Sequence, residues 1–248
     1  MEWLYLLSCQ LLTLTSYFSM QGNTVPVTSW ILIELVRDPA LLATIREEVS
    51  RAVDREPNST LAGTEGQLTW DIPKLLALPV LSSVFTETLR LRMSNNPNRQ
   101  LTDDLEVNGY LLKKGNQVMI PNWIPHLHDP EWITNNPSPL EHPPSKFWAG
   151  RFLTTVEGSK EKTNLRPKPG TYFPFGGGAT MCPGRFFAKQ EILISVAIMV
   201  MKYDFEFVEV VDQKGRAKKG ELGYDRSGAG FGALHPDGDL RCRIRKRA

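Results

Sequence analysis

The 248-residue chain, 41% hydrophobic and 23% charged, is long enough to bury one large core and has the composition of a globular domain, not of a disordered or collagen-like chain. Its 29 basic and 27 acidic residues leave a formal charge of +2, too even to make an electrostatic footprint for nucleic acid. Three cysteines, Cys9, Cys182 and Cys242, make an odd count without Cys-x-x-Cys spacing, which argues against a disulfide framework and a zinc site and fits a reducing compartment.

Trp3 to Phe18 carries no charge, yet its sixteen residues fall short of the ~20 that span a bilayer, and it lacks the basic region and cleavage site of a secretory signal. It reads as a buried helix running on into Ser19 to Val36, with a membrane anchor as the alternative. From Trp30 to Val53 the apolar residues Ile31, Leu35, Leu41, Ile45 and Val49 recur at helical spacing, interrupted by Asp38-Pro39. Asp before Pro is a helix-start signal, so the pattern predicts one helix ending near Arg37 and a second beginning there. Pro26, inside the first, should loosen its backbone ladder.

Residues 54–69, rich in Gly, Ser, Thr and Glu, read as a loop. Helical pieces are predicted around Ile72 to Ala77 and Val80 to Met93, the second stopped by Asn95-Asn96-Pro97-Asn98. Asn108-Gly109 between Leu105 to Val107 and Tyr110 to Leu112 predicts a hairpin, and Gln117 to Ile120 a further strand. Residues 129–171 hold seven prolines and little periodicity, which predicts an irregular packed meander. The helical pattern resumes from Pro183 through Phe187, Ile192, Val196 and Met199. From Tyr203 the chain reads as strands with glycine-rich turns, and the basic end, Arg241 to Arg247, as a strand with a solvated face.

The segment Phe175-Gly-Gly-Gly178-Ala-Thr-Met-Cys182-Pro-Gly184 sets a cysteine after a glycine-rich loop and at the mouth of an apolar helix. Glycines let a backbone pass close to a flat cofactor, and amides at a helix N-terminus point toward the sulfur and favour its thiolate. The ordinary alternative is a buried cysteine in a tight turn. Glu87-Thr-Leu-Arg90 places an acid and a base three apart, on one helix face. By itself such a pair is a common surface salt bridge.

The pattern Phe-x-x-Gly-x-x-x-Cys-x-Gly resembles the haem-binding loop of the cytochrome P450 family, and other segments stand in that family's order. Glu87-Thr-Leu-Arg90 is similar to the Glu-x-x-Arg of its K helix. Phe147-Trp-Ala-Gly-Arg151-Phe152 resembles the meander motif whose arginine joins that pair, a planar guanidinium clamping a carboxylate. Gln21-Gly22-Asn23-Thr24 aligns with the oxygen-binding groove of the I helix. The resemblance runs from about Ser19 to Arg247 and covers the second half of the family's fold.

That resemblance implies a mainly α fold with small β-sheets, the C-terminal half of the cytochrome P450 fold, in one truncated domain. Its parts would be the I-helix region at 1–37, the J and K helices at 38–100, a β region at 101–128 and the meander at 129–171. The haem-binding loop at 172–184, the L helix at 185–203 and a C-terminal β region at 204–248 would follow. Cys182 would ligate the iron of haem b, iron protoporphyrin IX, and a thiolate there favours O–O cleavage. Phe175, Gly178, Gly184, Arg99 and Thr180 would line the cofactor, Asn23 and Thr24 the oxygen side, and Glu87, Arg90 and Arg151 would form a structural lock. Thr180 stands where the family usually carries an arginine for a haem propionate; a hydroxyl can hydrogen-bond that carboxylate without neutralising it.

The implied activity is a monooxygenase oxidising an apolar small molecule, such as a sterol, terpenoid or other secondary metabolite, with dioxygen and electrons from NADPH-cytochrome P450 reductase. The implied location is the cytosolic face of the endoplasmic reticulum membrane. Gly22-Asn23 replaces the usual acid-threonine pair of the I helix, yet Asn23 with Thr24, Pro26 and the Gly-Ala-Thr-x-Cys-Pro-Gly loop is similar to the sterol 7-alpha-hydroxylase and prostacyclin synthase branch. That branch also holds isomerases that rearrange a peroxide substrate without a reductase. An isomerase or dehydratase, or a non-catalytic truncated remnant, therefore stand as alternatives.

Overall fold

The computed structural model describes residues 22–54, 69–130, 132, 138–156, 162–168 and 170–247. The expected helix at Trp3 to Phe18 and the interior of the expected loop at 54–69 lie outside them. Helix α1, residues 22–37, carries apolar side chains on two faces. Val27, Ile31 and Leu35, four apart, enter the main core, whereas Trp30 and Ile33 join Val210 and Leu222 in a second cluster. The helix is thus held from both sides.

Helix α2, Pro39–Ser50, starts where the sequence predicts, because the Asp38 side chain accepts from the Leu41 amide at 2.9 Å and Pro39 occupies the first turn. Strands β1, Val53–Asp54, and β2, Thr69–Trp70, pair antiparallel, so the ends of the expected loop form a short ladder instead. Asp71 caps α3, Ile72–Ala77, through the Lys74 amide at 3.0 Å.

Helix α4, Pro79–Arg92, begins after Leu78, which has no side chain able to cap it. Glu48 of α2 supplies the cap from outside: its two carboxylate oxygens accept from the Val80 and Leu81 amides at 2.9 and 3.0 Å, at a buried position. A carboxylate there also complements the positive end of the helix. Glu48→Ala strands two buried amides and is expected to cost about 2 kcal/mol, read as a lower urea midpoint at unchanged slope. A loss below about 0.5 kcal/mol would show that water replaces the carboxylate.

Helix α4 ends at Arg92, within one residue of the expected Met93, and β3, Met93–Asn95, which follows at once, pairs with the distant β11, Phe231–Ala233. Strand β4, Asn98–Gln100, pairs with β7, Gln117–Met119; β5, Leu105–Val107, pairs with β6, Tyr110–Leu112, across Asn108 and Gly109. Both turn residues have positive φ, 49° and 81°, as a two-residue hairpin turn of this hand requires. Helix α5, Trp123–His128, follows. The meander is less irregular than expected: β8, Leu153–Thr155, pairs antiparallel with β9, Lys162–Asn164.

Helix α6, Arg185–Lys202, buries Ile192, Leu193, Val196, Ala197 and Val200 against α2 and α3. Burying each large aliphatic side chain of this kind contributes about 1.5–3 kcal/mol. Strands β10, Tyr203–Asp212, and β12, Gly238–Lys246, form the longest ladder, and the basic end is its solvated face: Arg241 pairs with Glu209, and Arg243 with Glu206 at 2.8 Å. The result is a mainly α fold with small two-stranded sheets. Among the described residues, no helix is long and apolar enough to cross a membrane.

Candidate functional site

The loop that carries Cys182 closes on itself through the backbone. The Gly176 amide donates to the Phe173 carbonyl at 3.0 Å, and the Cys182 amide to the Phe175 carbonyl at 3.0 Å. Gly176 and Gly178 sit at φ +73° and +66°, a region that side chains with a Cβ rarely enter, which is why the loop needs glycine there. Phe175 packs against the main core, while Cys182 is a free, exposed thiol just before α6. The Ala188 amide bonds to the Gly184 carbonyl at 2.8 Å and starts the helix.

Arg99 on β4 reaches this loop, donating to the Gly177 carbonyl at 2.7 Å, and Thr180 lies exposed in a short 3-10 turn at Gly178–Thr180. Each is therefore on or against the loop, Thr180 by sequence and Arg99 by tertiary contact.

Glu87, Arg90 and Arg151 come together in the interior. Arg90 grips Glu87 with two bonds, Nε to Oε2 at 2.7 Å and Nη2 to Oε1 at 2.9 Å, while Arg151 Nε donates to Oε1 at 2.9 Å. The Glu87 and Arg90 side chains are wholly buried. Both guanidiniums spend further donors on backbone carbonyls of α5 and the meander: Arg90 on His126 and Pro144, Arg151 on His142, Pro143 and Lys146. Burial pulls the pKa of Arg151 down from its ordinary value, and the Glu87 carboxylate opposes that. Gly150, inside the Phe-Trp-Ala-Gly-Arg motif, is a close-approach position, since a Cβ there would stand 2.6 Å from the Trp148 ring.

On α1, Thr24 is buried and, with Val25, Thr28 and Ser29, faces Glu191 and Ser195 of α6 across an open hollow. The helix that follows Cys182 therefore forms one wall of this hollow and the Thr24 face of α1 the other. Asn23 turns elsewhere: its Oδ1 accepts from the Ala233 amide of β11 at 2.8 Å. Glu191 and Ser195 escaped the sequence reading, although two polar residues four apart on an otherwise apolar stretch were a usable signal.

The described residues thus form a mainly α fold in which a glycine loop presents the free, exposed thiol of Cys182 just before α6. The cytochrome P450 profile matches residues 10–227. The chain is 36% identical over 232 residues to cytochrome P450 monooxygenase calL of Penicillium decumbens, a match covering 94% of this chain and 41% of that protein. It is 32% identical over 254 residues to cytochrome P450 monooxygenase efuG of Hormonema carpetanum (94% and 43%). It is also 32% identical over 234 residues to cytochrome P450 7A1 of Rattus norvegicus (92% and 43%). The chain belongs to the cytochrome P450 family, and it spans less than half the length of these relatives.

The family implies a haem-thiolate cofactor, and the residues present fit one. Among the described residues, chain neighbours aside, nothing lies within 4 Å of where a Cβ would stand on Gly177 or Gly178, so the loop is open on that side to a flat group. Among the described residues no cluster of His, Cys, Asp or Glu could hold a metal ion by itself. A lone thiol suits a metal that arrives inside a macrocycle. Met181, Phe186 and Phe187, all exposed beside Cys182, add apolar surface.

Proposed function

We propose that this chain is the haem-binding portion of a monooxygenase in which Cys182 ligates the iron of haem b. The observation that carries the reading is the free, exposed thiol of Cys182 at the end of an open glycine loop whose backbone is closed by the Phe175 carbonyl. Thiolate-ligated haem, when bound, supplies the activation of dioxygen with electrons from NADPH-cytochrome P450 reductase.

The chain's own residues would then divide the work. Gly178 and Gly184 keep the backbone low, Phe175 anchors the loop in the core, and Arg99 and Thr180 present donors to carboxylates at the cofactor's edge. Glu87, Arg90 and Arg151 hold the meander that backs the loop, and Thr24 lines the oxygen side. Substrates are apolar small molecules of the sterol, terpenoid or secondary-metabolite kind. The similarity to cholesterol 7-alpha-monooxygenase of Cricetulus griseus, 32% over 236 residues, supports that class. The site of action is the cytosolic face of the endoplasmic reticulum membrane.

The test is the carbon-monoxide difference spectrum of the reduced, haem-supplemented chain beside Cys182→Ala. A thiolate-type Soret band that the variant loses supports the reading; absence of haem uptake by the unaltered chain sinks it. One observation favours a second reading, an isomerase or dehydratase without a reductase. Asn23 brings no carboxylic acid to this stretch of α1, and its carbonyl is engaged by Ala233. Turnover without NADPH and reductase would establish that second reading, and strict dependence on them would remove it.

A further inference from the structure

The loop that carries Cys182 enters through Phe173 and Pro174, and both sides of that peptide are held by side chains outside the charged lock. His126 of α5, with no exposed surface, takes the Phe173 amide on its Nε2 at 2.9 Å. Its ring stacks on Tyr172, centroids 5.3 Å apart, and meets Phe173 edge-on at 5.5 Å. Asn95 of β3 donates its Nδ2 to the Pro174 carbonyl at 2.7 Å.

These two are tied to each other through Asn122, which is also wholly buried. Asn122 Oδ1 accepts from the Asn95 amide at 2.7 Å, the Asn122 amide donates to the Asn95 carbonyl at 3.0 Å, and the Asn122 carbonyl accepts from the His126 amide at 3.2 Å. The arrangement is a buried polar network in which Asn122 Nδ2 and His126 Nδ1 have no partner among the described residues. It leads from the end of α4, through β3 and α5, to the two residues just before the glycine loop.

We infer that Asn95, Asn122 and His126 form an uncharged clamp on Phe173 and Pro174 that positions the Cys182 loop. Because Nε2 accepts, the neutral ring carries its proton on Nδ1, and only that tautomer can serve. A network of neutral, directional bonds fixes the entry angle of the loop without adding charge beneath a cofactor. The three are positioning residues. The inference deepens the haem-thiolate reading, on which its consequence for the cofactor rests.

The experiment compares the chain with His126→Phe, which keeps an aromatic ring and loses the acceptor, and His126→Gln, whose amide oxygen can accept. Hydrogen exchange resolved by peptide reports the loop without haem; the carbon-monoxide spectrum reports it with haem. His126→Phe is expected to speed exchange across 173–184 by roughly tenfold, the loss of about one buried hydrogen bond, with α4 and α6 unchanged. It should also move the Soret band from the thiolate to the thiol type, and His126→Gln should restore much of both.

Unchanged loop exchange in His126→Phe overturns the inference. So does exchange raised equally across the whole chain and not restored by His126→Gln, since the residue would then serve stability alone. A chain that takes up no haem in any form defeats the haem reading, while the exchange comparison still decides the clamp.

Discussion

Glu87→Ala is expected to cost about 3–5 kcal/mol, a large fraction of the ~5–15 kcal/mol that holds a typical domain together. The reason is charge. Arg90 and Arg151 would keep their carbonyl partners at His126, Pro144, His142, Pro143 and Lys146, so most of their hydrogen bonds survive. What disappears is the one carboxylate that neutralises two guanidiniums, whose side chains are 0% and 4% exposed. The nearby Trp132 and Trp148 rings, 5.3 and 5.5 Å from Arg90 and Arg151, offer only the weaker cation–π attraction.

Glu87→Gln separates the two contributions, because it keeps shape and an acceptor but not the charge. It should lose most of what Glu87→Ala loses. Urea unfolding followed by circular dichroism measures both variants. A Glu87→Gln midpoint within about 0.5 kcal/mol of the unaltered chain would mean that hydrogen bonding, not charge, holds this cluster.

The second large effect is a pH dependence. Burial, and after it the positive charge of Arg90, pulls His126 down to about 4 from its ordinary 6.5. The folded ring therefore stays neutral between those values while the unfolded ring takes a proton. Since the unfolded state binds more protons there, stability rises with pH across the window. The contribution is fully present above about pH 6.5 and is lost as pH falls toward about 4, amounting to about 3 kcal/mol in all. Protonation would also put a hydrogen on Nε2 and destroy the acceptor that holds the Phe173 amide.

Urea midpoints taken from pH 7 to pH 4 should fall by up to about 1.4 kcal/mol per unit more steeply in the unaltered chain than in His126→Gln, which has nothing to titrate at that position. Beside the Arg90 guanidinium, the Tyr172 hydroxyl also faces His126, and it stays neutral across this range because burial pushes its pKa up. Parallel slopes in the two proteins would refute the assignment. Carboxylates such as Glu34, raised by burial beside Arg92, add their own dependence, and the comparison with His126→Gln cancels it.

Much of the local structure was legible in the amino acids, and the reasons are local. Asp38-Pro39 marks a helix start whatever surrounds it, Asn108-Gly109 selects one turn geometry, and the apolar spacing from Ile192 to Val200 is helical in any context. The Glu87 and Arg90 pair was visible as a spacing of three, and the glycine loop before Cys182 as a run that only glycine can make.

The tertiary structure alone decided which distant groups meet. Nothing near Leu78 in sequence announces that α4 is capped by Glu48, thirty-two residues before Val80. Strand β3, just after α4, finds its partner in β11, more than a hundred residues on. His126 and Asn122 are polar residues in and just before a six-residue helix, and only packing shows that the His126 ring meets the Phe173 amide and the Asn122 side chain the Asn95 amide. Likewise Asn23, aligned by sequence with an oxygen-binding groove, gives its carbonyl to Ala233. Backbone dihedrals and side-chain periodicity act over a few residues and can be read along the chain. Which polar groups satisfy one another once water is excluded depends on the packed whole, and that is where the surroundings of Cys182 were settled.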